Sequence, residues 1–351
     1  MNIFQTINTL YKESTEALDN GNCTQAYFFL QKTYPLLQKI PHNHFLWILY
    51  YINLASVYNN MGRFVESIDY CQKAEQIIIT KKNDYLVAKI KSSKATSYLN
   101  IGDYPNSLDN NKKAIKLYQK INQETNIAAE LITYGNILIR TGKWEEAIKN
   151  YSETLFIAKK KRDKRIEAKV LMELGYVFRG HRFLYLAIDH FREAERVYKK
   201  QQFKQGIVIA LYERANTYLS LKMTKEIDVL IEQIKELTPK ESFMRSFLYN
   251  LEFCIHNQNK NFTEAMNCAN LLLDFFKKAE DKRGEAESFE KIASVYYNLS
   301  ELEPAEKYGK KALEISEKIG DKLLVDSCKR LLKDIDFITK HNIDLNELRK
   351  E

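Results

Sequence analysis

The chain is poor in everything that makes sheet turns, disulfide frameworks or membrane spans. Five prolines and eleven glycines among 351 residues give few points at which a chain turns sharply, which argues against a strand-rich architecture and suits long helices with short connections. The five cysteines, Cys23, Cys71, Cys254, Cys268 and Cys328, are odd in number, scattered and free of any C-x-x-C spacing. That excludes a disulfide framework or zinc ribbon and fits a reducing cytoplasm. No stretch reaches the roughly 18 uninterrupted apolar residues that a membrane helix needs. The opening MNIFQTINTLYKESTEALDNGN carries charge by Lys12 and has no long apolar core, so neither a signal peptide nor an anchor is expected.

Catalytic signatures are missing as well. The sequence holds no G-x-x-x-x-G-K-[ST], no G-x-G-x-x-G, no H-E-x-x-H and no G-x-S-x-G. His42 and His44 form an H-x-H in PHNHF, but no carboxylate or cysteine stands nearby in sequence, and the segment reads as a loop before a helix. Cys254, His256 and Cys268 read as packing residues. The expectation is a protein without catalytic residues, metal or cofactor.

What is present is a folded composition, 45% hydrophobic and 28% charged. The length exceeds a usual single core, so the chain either splits into domains or propagates one core along an axis. The net charge of +8 suggests an acidic partner or nucleic acid. Its lysines, however, gather where helices should end: Lys81-Lys82, Lys159 to Arg162, Lys199-Lys200, Lys277-Lys278 and Lys318. Cations there oppose the negative end of the helix dipole. Asp84, Asp163, Asp281 and Asp321 follow as expected N-caps. Tyrosine (22) and phenylalanine (18) are abundant, and most fall at recurring positions that suit inter-helix packing better than base stacking.

Those positions recur with a period of forty residues. Gly62, Gly102 and Gly142 align; Phe64, Tyr104 and Trp144 follow two residues on, then Ser67, Ser107 and Ala147. Tyr58, Tyr98 and Leu138 share an upstream position, preceded by Ala55, Ala95 and Gly135. The frame continues through Leu174, Gly175, Phe178, Ala187, Phe191 and Ala194, and returns late with Ile292, Ala293, Tyr296, Ala305 and Ala312. This pattern resembles the tetratricopeptide repeat, whose helix-turn-helix unit usually spans about 34 residues. The units here are longer, lack the usual proline after the second helix, and in the sixth place Lys222 where the turn glycine belongs.

The resemblance implies an all-α fold: a right-handed superhelical solenoid of about eight helix-turn-helix units. The units run approximately 1–40, 41–81, 82–121, 122–161, 162–201, 202–239, 240–280 and 281–321, with a C-terminal capping helix and tail at 322–351. The weak consensus from about Gly206 to Glu280 marks the expected hinge. In this fold the first helix of each unit lines the concave surface, so the resemblance implies ligand contacts on its free face. That face carries Asn60, Thr96, Asn100, Asn136, Arg140, Tyr176, Arg179, Tyr212, Asn216, Tyr297 and Asn298. An asparagine amide both donates and accepts, and so pairs with an extended peptide backbone whatever its side chains. Arg140 and Arg179 suit a carboxylate. Long repeats of this kind are similar to the peptide-sensing quorum regulators of Gram-positive bacteria and to spindle-orientation adaptors. Because repeats begin within the first few residues, no separate N-terminal effector domain is expected. The expected function is non-enzymatic capture of a peptide or extended protein segment by a cytoplasmic scaffold; the alternative is RNA or polyanion binding by a basic superhelix.

Overall fold

The computed structural model describes residues 2–19, 22–78, 83–239 and 244–341. Among them it has seventeen α-helices and no strand. In chain order these are α1 (Ile3–Asp19), α2 (Cys23–Leu37), α3 (Phe45–Asn60), α4 (Phe64–Ile78), α5 (Asp84–Ile101), α6 (Tyr104–Lys120), α7 (Glu124–Arg140), α8 (Trp144–Lys161) and α9 (Lys164–Gly180). There follow α10 (Leu184–Lys200), α11 (Lys204–Ser220), α12 (Thr224–Leu237), α13 (Arg245–Gln258), α14 (Phe262–Lys278), α15 (Lys282–Asn298), α16 (Leu302–Ile319) and α17 (Lys322–His341). The connections are short throughout, as the scarcity of glycine and proline requires. None of these helices is long and apolar enough to cross a membrane.

The helix ends show why the chain breaks where it does. Asp163 and Asp281 cap α9 and α15, accepting from the backbone N–H of Ile166 and Gly284 at 3.0 Å, and Asp321 accepts from Leu324 N–H at 3.2 Å at the start of α17. Asp84 departs from the expectation. It lies one residue inside α5, where Asn83 accepts from Leu86 N–H at 3.0 Å, while Asp84 pairs with Lys120 at 2.7 Å. An asparagine one position earlier satisfies the same orphan donor and releases the aspartate for the ion pair. Lysines close α8, α10, α14 and α16 as the dipole favours; Lys81 and Lys82 lie outside the described residues.

The turns need a left-handed residue, and glycine is only one way to supply it. Gly62, Gly102, Gly142 and Gly320 have positive φ, but so do Asn122, Arg162, Arg182, Gln202, Lys222, Lys260, Glu280 and Ser300. Lys222 therefore adopts, at φ 58°, the conformation that the missing glycine of the sixth unit would have made cheap. The smaller glycines inside helices have another purpose. A Cβ added at Gly135 would lie 2.3 Å from Tyr151, and one at Gly175 would lie 2.5 Å from Phe191. These positions let the first and second helices of a pair close on an aromatic ring.

The chain divides into two compact units. The first comprises Met1–Asn59, Glu66–Leu99 and Asp103–Leu248; the second comprises Asn60–Val65, Asn100–Gly102 and Tyr249–Glu351. Within the first, α7, α8 and α9 bury Ala128, Leu138, Ala147, Tyr151, Ile166, Val170 and Leu174 in one cluster. Within the second, Phe253, Ala265, Ala269, Phe289, Ile292 and Ala312 form the core, with Cys254 packed at its edge. The final helix α17 packs on α15 and α16 and contributes Leu324 and Cys328 to that core. Residues 342–351 of the expected tail lie outside the described residues.

Candidate functional site

The polar residues of the first helices are joined from one pair to the next. Asn59 on α3 accepts from Ser97 Oγ at 2.8 Å and donates to the Ser93 carbonyl at 3.3 Å, both on α5. Ser92 on α5 donates to Glu130 on α7. Asn136 on α7 bonds Glu173 on α9, and on its other side Asn136 Oδ1 accepts from the Tyr151 hydroxyl of α8. Tyr176 and Arg179 on α9 both donate to Glu213 on α11, the former at 3.3 Å. In the second unit Asn298 Nδ2 on α15 donates to Asn257 Oδ1 on α13 at 3.1 Å, and Ser327 on α17 donates to Glu290 on α15. A row of polar bonds thus links successive first helices within each unit.

The eleven residues singled out in the sequence fall on both units. Thr96, Asn136, Arg140, Tyr176, Arg179, Tyr212 and Asn216 belong to the first, and Asn60, Asn100, Tyr297 and Asn298 to the second. On α7, Asn136 and Arg140 are one helical turn apart and share a face. On the neighbouring α9, Glu173, Tyr176 and Arg179 repeat at three-residue steps, and on α11 Tyr212, Glu213 and Asn216 follow. Thr96 bonds back to the Ser92 carbonyl at 3.3 Å, and the Tyr212 ring rests against Phe247 at 5.3 Å. Asn60, Asn100 and Tyr297 also engage groups within the molecule.

Arg179 is already engaged within the fold, its Nη1 paired with Glu213 of α11, so any ligand carboxylate would share the guanidinium with that partner. Arg140 differs: it is exposed, and among the described residues no carboxylate lies within ion-pair distance of it.

Two charged positions of the first-helix face were not picked out from the sequence, Glu173 and Glu213. Glu173 interrupts the apolar run VLMELGYVF, Glu213 follows the apolar ALY of ALYERANTYL, and the two are forty residues apart. A charged residue recurring at the repeat period inside a hydrophobic stretch was the available signal. Their electrostatics reflect the placement. Burial pushes the Glu173 carboxyl up to about 7, opposed by the hydrogen bond from Asn136 and by the charges of Lys169 and Arg140. Burial also raises Glu213, opposed chiefly by Arg179. Glu130 is raised by burial against its bonds from Ser92 and Asn111, and burial lifts the Tyr151 and Tyr176 hydroxyls far above the range in which they ionise in water. Because desolvation favours the neutral carboxyl, protonation of Glu173 turns the acceptor facing the Asn136 amide into one also able to donate.

No group of three or more His, Cys, Asp or Glu able to hold a metal ion occurs among the described residues. The His42 ring lies tilted against Trp47 at 4.6 Å and meets the Tyr51 hydroxyl at 3.1 Å, so its surroundings are those of an aromatic cluster.

Two family models, each described as tetratricopeptide repeat, match residues 48–78 and 286–319. No curated protein matches the sequence. Among solved structures, NprR in complex with its cognate peptide NprX is 17% identical, with a TM-score of 0.66, covering 90% of this chain and 89% of that one. Aspartyl phosphate phosphatase F from Bacillus subtilis is 13% identical, with a TM-score of 0.62, covering 91% and 95%. A Rap protein complexed with competence and sporulation factor is 14% identical, with a TM-score of 0.59, covering 90% and 98%. The chain therefore carries tetratricopeptide repeats at 48–78 and 286–319, within an all-α repeat fold shared with NprR and the Rap proteins.

Proposed function

We propose that the protein is a non-enzymatic regulatory scaffold of the cytoplasm that holds a peptide or an extended protein segment along the first-helix face of its repeats. In the first unit Asn136, Arg140, Tyr176, Tyr212 and Asn216 are the contacts, with Arg179 and Glu213 holding Tyr176 in place. The observation that carries this reading is that Asn136 and Tyr176, on successive first helices, are held in orientation by bonds to neighbouring helices. Fixed polar groups bind an extended chain without paying its partners' side-chain entropy a second time. After meeting Tyr151 and Glu173, the Asn136 amide keeps one N–H and one lone pair, enough to pair with a peptide unit. Arg140 supplies the uncompensated charge for a terminal carboxylate or an acidic side chain. The reading is supported by proteins of like fold: NprR is found with its cognate peptide NprX, and a Rap protein with competence and sporulation factor.

The polyanion reading is weakened by pairing. Lys159, Lys161 and Lys199 at helix ends are held by Glu193, Glu124 and Glu195, and Arg179 by Glu213. Counterion release scales with the number of cations left for phosphate, so these pairs reduce that contribution without removing it.

The test is capture from extracts of the native cell on immobilised protein, with mass spectrometry of bound peptides and proteins. Wild type should enrich a defined peptide or segment, and Asn216→Ala and Arg140→Gln should each weaken that capture by roughly 1–3 kcal/mol with little change in melting temperature. Enrichment of RNA alone, or equal retention by wild type and both variants, would remove the proposal.

A further inference from the structure

A cleft of about 410 Å³ opens on the first unit beside the start of α9 and the second half of α10. Seven of its eight lining residues are charged. Its carboxylates already have partners: Glu167 meets Lys164 at 2.6 Å, Asp189 meets Arg192 at 2.9 Å, and Glu193 meets Lys159 at 2.9 Å. The cations outnumber them. Arg192, Arg196 and Lys200 stand four residues apart on α10, one above another on a single helix face. Like charges at that spacing destabilise a helix; Lys200 also closes the helix end, and neither Arg196 nor Lys200 is packed, both being exposed. Arg192 is steadied by Asp189 and by the Tyr218 hydroxyl at 3.3 Å. Among the described residues neither Arg196 nor Lys200 has a carboxylate within ion-pair distance. The row therefore lines the cleft with positive charge that no carboxylate among the described residues neutralises at Arg196 and Lys200.

We infer that this cleft binds a small phosphorylated or pyrophosphate-bearing molecule, with Arg196 and Lys200 as its principal charge partners and Arg192 as a preoriented donor. Forked guanidinium groups and a lysine suit the several oxygens of such a group. The cavity has room for more than one phosphoryl group. This site is separate from the first-helix face discussed above and stands or falls without it.

Inorganic pyrophosphate is the probe, titrated calorimetrically into the full chain at low ionic strength. Wild type should give saturable one-to-one binding that weakens with added salt. The double variant Arg196→Gln/Lys200→Gln should lose at least about tenfold in affinity. The control is Lys310→Gln/Lys318→Gln, which removes the same charge from α16, where Glu306 and Glu314 hold both lysines; it should bind as wild type does. Circular dichroism melts confirm that both doubles are folded. Absence of saturable binding, or equal loss in the two doubles, would overturn the site by reducing it to net charge. Tighter binding of a short oligouridylate than of pyrophosphate, insensitive to Arg196→Gln/Lys200→Gln, would overturn it in favour of diffuse nucleic-acid attraction.

Discussion

Glu173 shows how one buried carboxyl couples the first-helix face to pH. Its folded value of about 7 lies above the ordinary 4.5, so the folded state holds a proton that the unfolded state gives up. The resulting stability is fully present below pH 4.5 and is lost as pH rises through about 7. Replacing it by glutamine removes the titration but keeps the amide bond to Asn136. The thermal midpoint of Glu173→Gln should accordingly fall less than that of wild type between pH 4.5 and 7, and parallel curves would show that Glu173 does not titrate in this window. Asn136→Ala is expected to differ from Asn216→Ala in the same assay. It strands the Tyr151 hydroxyl and the Glu173 carboxyl and should cost about 1–3 kcal/mol, whereas the Asn216 side chain makes no hydrogen bond among the described residues, so Asn216→Ala breaks none.

Among the elements, the helix pairs depend on how closely their crossings pack. Gly175 admits Phe191 and Gly135 admits Tyr151 because neither has a Cβ, and both rings are fully buried. Gly175→Ala forces an overlap that a rigid ring buried among Ala187 and Ala194 does not easily relieve, so it should destabilise by about 1–3 kcal/mol in urea unfolding. Gly180→Ala is the matched control, because no atom lies within 4 Å of its added Cβ; alanine there should be neutral or slightly stabilising. Equal effects at the two positions would mean that crossing distance is not what Gly175 provides.

For the whole molecule, repeat proteins are stabilised by neighbour interfaces, so a weak interface is felt locally. One of the chain positions at which the two compact units divide falls between Leu248 and Tyr249, inside α13. That helix is one of the two shortest, at fourteen residues, and the other, α12, precedes it. Both fall in the stretch from Gly206 to Glu280 whose repeat consensus is poorest. Amide hydrogen exchange should therefore be faster in α12 and α13 than in α9, α10, α15 and α16. Uniform protection along the chain would rule out a soft segment there.

The periodicity of apolar and small residues determined the fold, because helix-pair packing repeats the same steric demand every forty residues and so writes itself into sequence. The lysine clusters at helix ends and three of the four aspartate caps were legible for the same local reason. Asp84 was misassigned because two adjacent residues both suit a cap and only the tertiary fold supplies Lys120 to claim one of them. The first-helix face was legible as a set of positions and not as a set of bonds. Whether Arg179 is open or paired depends on Glu213, thirty-four residues further on and on another helix. The same holds for Asn136, whose amide is oriented by Tyr151 and by Glu173 from two different helices. That Arg196 and Lys200 on α10 stay unpaired while Arg192 meets Asp189 is likewise a tertiary outcome, since sequence counts charges while only packing decides which carboxylate reaches which cation.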